Sequence, residues 1–171
     1  MKHISILVPR GAVALGCIEG PFILFNKANE FLTRMGKEPL FTVQLVGLNK
    51  DPQVYDRFFS VTPDVATNAV SKTDLIIIPA VNGEMTSVIE LNKDFLPWIT
   101  HQYKNGSEVA SLCVGSFILA STGLLKGKKC STHWVAANDF RKLFPDVELV
   151  SEKIITDENG IYSSGGANSF W

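Results

Sequence analysis

Residues 109–121 read VASLCVGSFILAS. Glu108 to Leu112 is predicted as a short strand and Gly115 to Thr122 as a helix, with Cys113 on the turn between them. A strand-to-helix turn this tight leaves no room for bulky neighbours, which suits Gly115 and Ser116. It also exposes its middle side chain at the carboxyl edge of the strand, where open parallel sheets place their sites. A helix N-terminus beneath the sulfur favours the thiolate. The competing reading is a buried structural cysteine, since cysteine is among the residue types most often found inside.

Outward from this turn, apolar runs of strand length alternate with helical patterns, the signature of a parallel sheet covered on both faces. Upstream, Asp74 opens the run LIIIP, continuous and β-branched, followed by the loop AVNGEM (80–85). A helical pattern covers Ser87 to Tyr103, with breaks expected near Asn92 and Pro97, and Asn105-Gly106 stops it. At the N-terminus, His3 to Val8 forms the first strand and Pro9, Arg10 and Gly11 end it. Phe22, Phe25, Ala28, Leu32 and Met35 then recur at helical spacing, with Pro21 suited to the first turn and Gly36 to the exit. Leu40 to Leu48 is a second strand, and Phe58 to Val61 a short edge strand. Downstream, Lys129 to Ser131 is extended and Trp134 to Phe144 is an amphipathic helix ended by Pro145. Val147 to Val150, Lys153 to Thr156 and Ile161 to Ser163 are closing strands, the last two joined by an Asn159-Gly160 hairpin turn. Ser164-Gly165-Gly166 opens a further helix of which only Ala167 to Trp171 remain, so the domain is expected to be truncated there.

The 171 residues suit one domain, and 46% hydrophobic with 19% charged residues excludes a disordered chain. A net charge of −1 supplies no electrostatic footprint for nucleic acid or an anionic membrane. No apolar run approaches the roughly 20 residues of a membrane span, and Pro9 and Arg10 cut the N-terminal run too short for a signal peptide. Cys17, Cys113 and Cys130 form neither an even disulfide framework nor a metal-ligand spacing. They place the chain in the reducing cytoplasm, with no metal or cofactor expected.

Twenty positions beyond Cys113, Thr132-His133-Trp134 ends an extended piece and opens a helix. From the end of a neighbouring strand, His133 is placed to reach the thiol as base or partner. The stretch ASLCVGSFILASTGLLKGKKCSTHW (110–134) resembles the corresponding stretch of the ThiJ/PfpI superfamily, the class I glutamine amidotransferase-like fold. Glu19-Gly20-Pro21, the IIIP strand and the late SSGG (163–166) fall in the same order, so the resemblance covers essentially the whole chain. It implies a flavodoxin-like three-layer α/β sandwich with a mostly parallel sheet and a nucleophile-elbow cysteine. CSTHWVAANDFRKLFPDVEL (130–149) and SSGGANSFW (163–171) are most similar to the N-terminal domains of AraC-type transcription regulators.

That likeness implies a homodimeric ligand-sensing domain with an unidentified small-molecule effector. Its DNA contacts would be made only by a helix-turn-helix segment beyond Trp171. The alternative is a cysteine-dependent enzyme of the same superfamily, acting on a small carbonyl or amide-like substrate through Cys113 and His133. Such enzymes carry an acid near the start of the first helix; aligned on Gly20-Pro21, Cys17 stands in its place. Glu19, two positions on, would point to nearly the opposite helix face. The backbone N–H of Val114 and one near Gly83 would form an anion or oxyanion site, with Glu84 as a further ligand contact. A Cys17 in the acid's place would lie close enough to Cys113 for oxidation to bridge them.

Overall fold

The computed structural model describes residues 1–55 and 58–166; the expected helix start at Ala167 to Trp171 lies outside them. In chain order the elements begin β1 (Lys2–Leu7), β2 (Ala12–Val13), α1 (Gly16–Arg34), β3 (Phe41–Gly47), β4 (Gln53–Tyr55), β5 (Phe59–Val61) and β6 (Val65–Ala66). They continue with β7 (Leu75–Ile78), β8 (Val81–Asn82), α2 (Met85–Asn92), α3 (Phe95–Lys104), β9 (Glu108–Leu112) and α4 (Ser116–Ser121). The last are β10 (Lys129–Cys130), α5 (Ala137–Leu143), β11 (Glu148–Leu149), β12 (Ile155–Asp157) and β13 (Ile161–Ser164).

The main sheet has seven strands in the order β12-β13-β9-β7-β1-β3-β6. All its pairings are parallel except the antiparallel β12–β13 pair at one edge. Ile4, Ile6 and Leu7 of β1 and Ile76, Ile77 and Ile78 of β7 are buried on consecutive positions, as a strand covered on both faces requires. Each such side chain contributes about 1.5–3 kcal/mol by leaving water. Helix α1 lies against β1 and β3, α3 and α4 lie against β9, and α2 packs on α4. This is the α/β architecture the resemblance implies.

Four local expectations change. Helix α1 starts at Gly16, so Pro21 is buried inside it and not in its first turn; lacking an N–H, Pro21 leaves the Cys17 carbonyl without its intrahelical donor. The 87–103 pattern breaks at Lys93-Asp94, beside the expected Asn92, but not at Pro97. Pro97 falls in the first turn of α3, where an N–H has no partner to lose. Asn92 closes α2, and its buried amide spans the Arg10 backbone, accepting from its N–H at 2.8 Å and donating to its carbonyl at 2.9 Å. The 58–61 segment is not a main-sheet edge: β5 pairs antiparallel with β4, and β6 holds the edge. The 147–150 segment shortens to β11, which pairs with β10 away from the main sheet. The Asn159-Gly160 hairpin forms as expected, with φ of +57° and +79°.

Candidate functional site

The β7–β9 register sets Ile78 beside Ser111, so the chain leaves both strands at the same height. Cys113 follows with φ +55°, a left-handed conformation that costs a residue with a Cβ about 1–2 kcal/mol. Two contacts hold it there. A Cβ on Gly115 would stand 2.6 Å from the Ile78 carbonyl oxygen and 2.7 Å from that of Pro79, so only glycine lets the turn sit against the end of β7. On the other side, Thr132 donates from its hydroxyl to the Cys113 carbonyl at 3.4 Å and accepts from the Ser116 hydroxyl at 2.7 Å. A 3-10 turn, Cys113–Gly115, precedes α4, so the helix beneath the sulfur has only six residues. The Phe117 ring meets Phe140 edge-on at 5.0 Å, which locks α4 to α5 and fixes the far wall of the site.

Cys113 is only 7% exposed, and that exposure opens on a cavity of about 890 Å³. Gly83, Glu84, Val114 and His133 line the same cavity, so the structure brings together five of the residues singled out from the sequence. Cys17 is not among its lining residues. It is fully buried, packed with Ala80 and Cys113 in a small cluster. Burial pushes its thiol pKa up, the Ala80 backbone N–H pulls it down, and the charge of Cys113 raises it further. Glu19 is exposed on α1, and because Gly16, Cys17 and Glu19 are all helical the two side chains point away from each other. Glu19 is not among the cavity residues either.

Glu84 lines the cavity, yet its carboxylate caps α2. It accepts from the backbone N–H of Thr86 at 3.0 Å, that of Ser87 at 2.7 Å and the Ser87 hydroxyl at 2.8 Å. These donors, the Ser87 N–H first, hold its pKa down at about 2. His133 also caps: its Nδ1 accepts the Val135 N–H at 3.3 Å, and the ring stacks on Trp134 at 5.8 Å. A neutral imidazole that accepts at Nδ1 carries its proton on Nε2.

Sequence reasoning missed several walls of the cavity. Trp134 is 74% exposed on it, beside Met85 and the Asp139–Lys142 pair (3.6 Å). Gly165 and Gly166 also line it. A tryptophan directly after the Thr-His pair is the available signal; it lies in a 3-10 turn, Trp134–Ala136, ahead of α5. Among the described residues no group of three or more His, Cys, Asp or Glu is placed to hold a metal ion. Nor is any helix there long and apolar enough to cross a membrane.

A family model described as the DJ-1/PfpI family matches residues 30–170. The chain belongs to the DJ-1/PfpI family. Within it, the chain is 31% identical over 106 residues to the HTH-type transcriptional regulator GbdR of Pseudomonas aeruginosa, covering 62% of this chain and 28% of that one. It is 26% identical over 130 residues to the HTH-type transcriptional regulator CdhR of the same species, covering 76% of this chain and 38% of the relative. The chain therefore spans well under half the length of these regulators. Among solved structures, a candidate transcriptional regulator from Vibrio parahaemolyticus superposes with a TM-score of 0.84 at 25% identity, over 99% of this chain and 87% of that one. The family thus agrees with the expectation drawn from residues 110–134, and the regulator likeness with that drawn from residues 130–149 and 163–171.

Proposed function

We propose that this DJ-1/PfpI domain is the ligand-sensing and dimerisation part of an AraC-type transcription regulator in the cytoplasm. A small-molecule effector occupies the cavity above Cys113, and DNA is contacted only by a helix-turn-helix segment beyond Trp171. One observation carries the reading. At the position where superfamily enzymes place an acid stands Cys17, a buried thiol whose pKa is raised. Glu19 faces away on α1, and the His133 ring is engaged in capping the turn that follows it. A concave cavity lined by a few polar groups beside apolar ones is what a small-molecule effector needs. The likeness to GbdR and CdhR supports the same reading.

The left-handed Cys113 favours a second reading, a thiol-dependent enzyme, because backbone strain of this kind clusters at active sites. Thermal unfolding against a metabolite panel separates the two. A sensing domain gains about 2.7 kcal/mol with ligand at 100 times its Kd, and Cys113→Ser abolishes no turnover because there is none. The coding sequence past codon 171 is expected to continue into helix-turn-helix units. Turnover of a small carbonyl or amide substrate that Cys113→Ser removes would establish the enzyme and overturn the sensor.

A further inference from the structure

Cys17 and Cys113 have a chemistry that effector binding does not use. Beyond them the buried cluster contains only Ala80, and Ala14, Leu112 and Val114 pack around it. Cys17 and Cys113 thus share one small packed cluster, and the charge of Cys113 is near enough to act on the Cys17 thiol. Ala80 holds the pair from both sides: its N–H donates to the Cys17 sulfur, and its carbonyl accepts from Ala14 N at 3.0 Å. Ala14 in turn accepts from Cys17 N at 2.8 Å, which anchors the start of α1 to the chain leaving β7. Cys113 opens on the cavity, whereas Cys17 is wholly shielded behind it. One thiol is thus reachable by a small oxidant and the other only by its neighbour. Cys130 is also buried, but it belongs to the main core and donates to the Ser131 carbonyl at 3.4 Å.

We propose that Cys113 and Cys17 form a peroxide-modifiable dithiol site, in which Cys113 is oxidised from the cavity and Cys17 resolves it to a disulfide. In the first step the Cys113 sulfur attacks the outer oxygen of a hydroperoxide. The O–O bond breaks, an S–O bond forms, and the alcohol or water leaves with the thiol proton. Cys113 is then a sulfenic acid, oxidised by two electrons, and the peroxide is reduced by two. In the second step the Cys17 sulfur attacks Cys113, an S–S bond forms, and the hydroxyl departs with the Cys17 proton as water. The sum is two thiols and one hydroperoxide giving one disulfide, one alcohol or water, and one further water. The disulfide withdraws the Cys113 thiol from the cavity floor, so oxidation reports on the site whether the domain senses ligands or performs catalysis.

Trypsin separates the three cysteines onto peptides 11–27, 105–126 and 130–141. The folded protein is treated with one equivalent of hydrogen peroxide, alkylated under denaturing conditions and mapped by mass spectrometry without reduction. The expected product is a single crosslink joining 11–27 to 105–126, two hydrogens lighter than the two peptides and released by dithiothreitol. Cys130→Ala leaves it unchanged, and Cys17→Ala stops the reaction at a Cys113 sulfenic or sulfinic acid. Three outcomes would overturn the proposal: Cys113 oxidised while Cys17 is recovered fully alkylated, crosslinks to 130–141 in comparable yield, or no oxidation of Cys113 at all. Circular dichroism of each variant separates chemistry from misfolding. Should Cys17→Ala not fold, the wild-type crosslink map alone decides.

Discussion

Replacing Gly115 by alanine tests the packing that holds the Cys113 turn against the sheet. The backbone of Gly115 has φ −58° and ψ −19°, which any residue adopts, so its glycine is not a conformational requirement. The added methyl meets two backbone oxygens, at 2.6 Å and 2.7 Å, and neither is the movable end of a side chain. Relief needs β7 and the turn to part, an overpacking cost of roughly 1–3 kcal/mol. Reduced freedom of the unfolded chain returns about 0.4–1 kcal/mol. The net loss is about 1–2 kcal/mol, and for a domain of this size each kcal/mol moves the melting temperature by about 2–4 °C. Differential scanning calorimetry should therefore show a fall of about 2–8 °C. Gly16→Ala is the control: it lies in the first turn of α1 with nothing within 4 Å of its Cβ, and should leave the melting temperature unchanged or slightly raised. Because Ala80 is displaced with Pro79, iodoacetamide should also alkylate Cys113 at an altered rate in Gly115→Ala alone. If Gly115→Ala melts like Gly16→Ala, the turn is not held by this contact and the reasoning fails.

Two pH dependences follow from buried or capping groups. Burial raises the Cys130 thiol from its ordinary 9.0 to about 11, so the unfolded chain releases this proton first. Its stabilising contribution is intact below pH 9, is lost as pH rises toward 11, and amounts to a fall on the order of 2–3 kcal/mol. Urea midpoints between pH 8 and 11 should decline, and Cys130→Ala should flatten that slope while Cys17 sustains part of it; an unchanged slope refutes the assignment. At the acid end, Glu84 is held at about 2 against an ordinary 4.5, so its contribution is present above pH 4.5 and disappears as pH falls toward 2. Glu84→Gln should make the melting temperature less sensitive to acid over that window. Equal sensitivity in the two proteins would show that the cap does not act through the carboxylate charge.

Features set by near neighbours were legible from the chain itself. Asn159-Gly160 supplies two positive φ angles at once, so its hairpin needed no distant partner. The continuous Ile76–Ile78 run declared a strand buried on both faces, and the small residues after Cys113 declared a tight turn. The start of α1 is not legible in the chain, because Pro21 is a strong local signal for a later first turn. The N–H bonds to Ala14 and Leu15 that begin the helix five residues earlier depend on how the preceding loop docks on Ala80. That Glu84 also caps α2 is invisible until the backbone N–H groups of Thr86 and Ser87 have positions.

What the sequence determined by itself was the order of strands and helices, the family likeness and the cysteine at the turn, since hydrophobic period and turn chemistry act over a few residues. What only the tertiary structure decided was which groups share the site. It set Cys17 behind Cys113, turned Glu19 to solvent, engaged His133 and Glu84 in capping, and brought Trp134 and Gly165-Gly166 around the cavity. Those relations join residues tens of positions apart, and they come into being only when the strand register and the packing of α1, α4 and α5 place them.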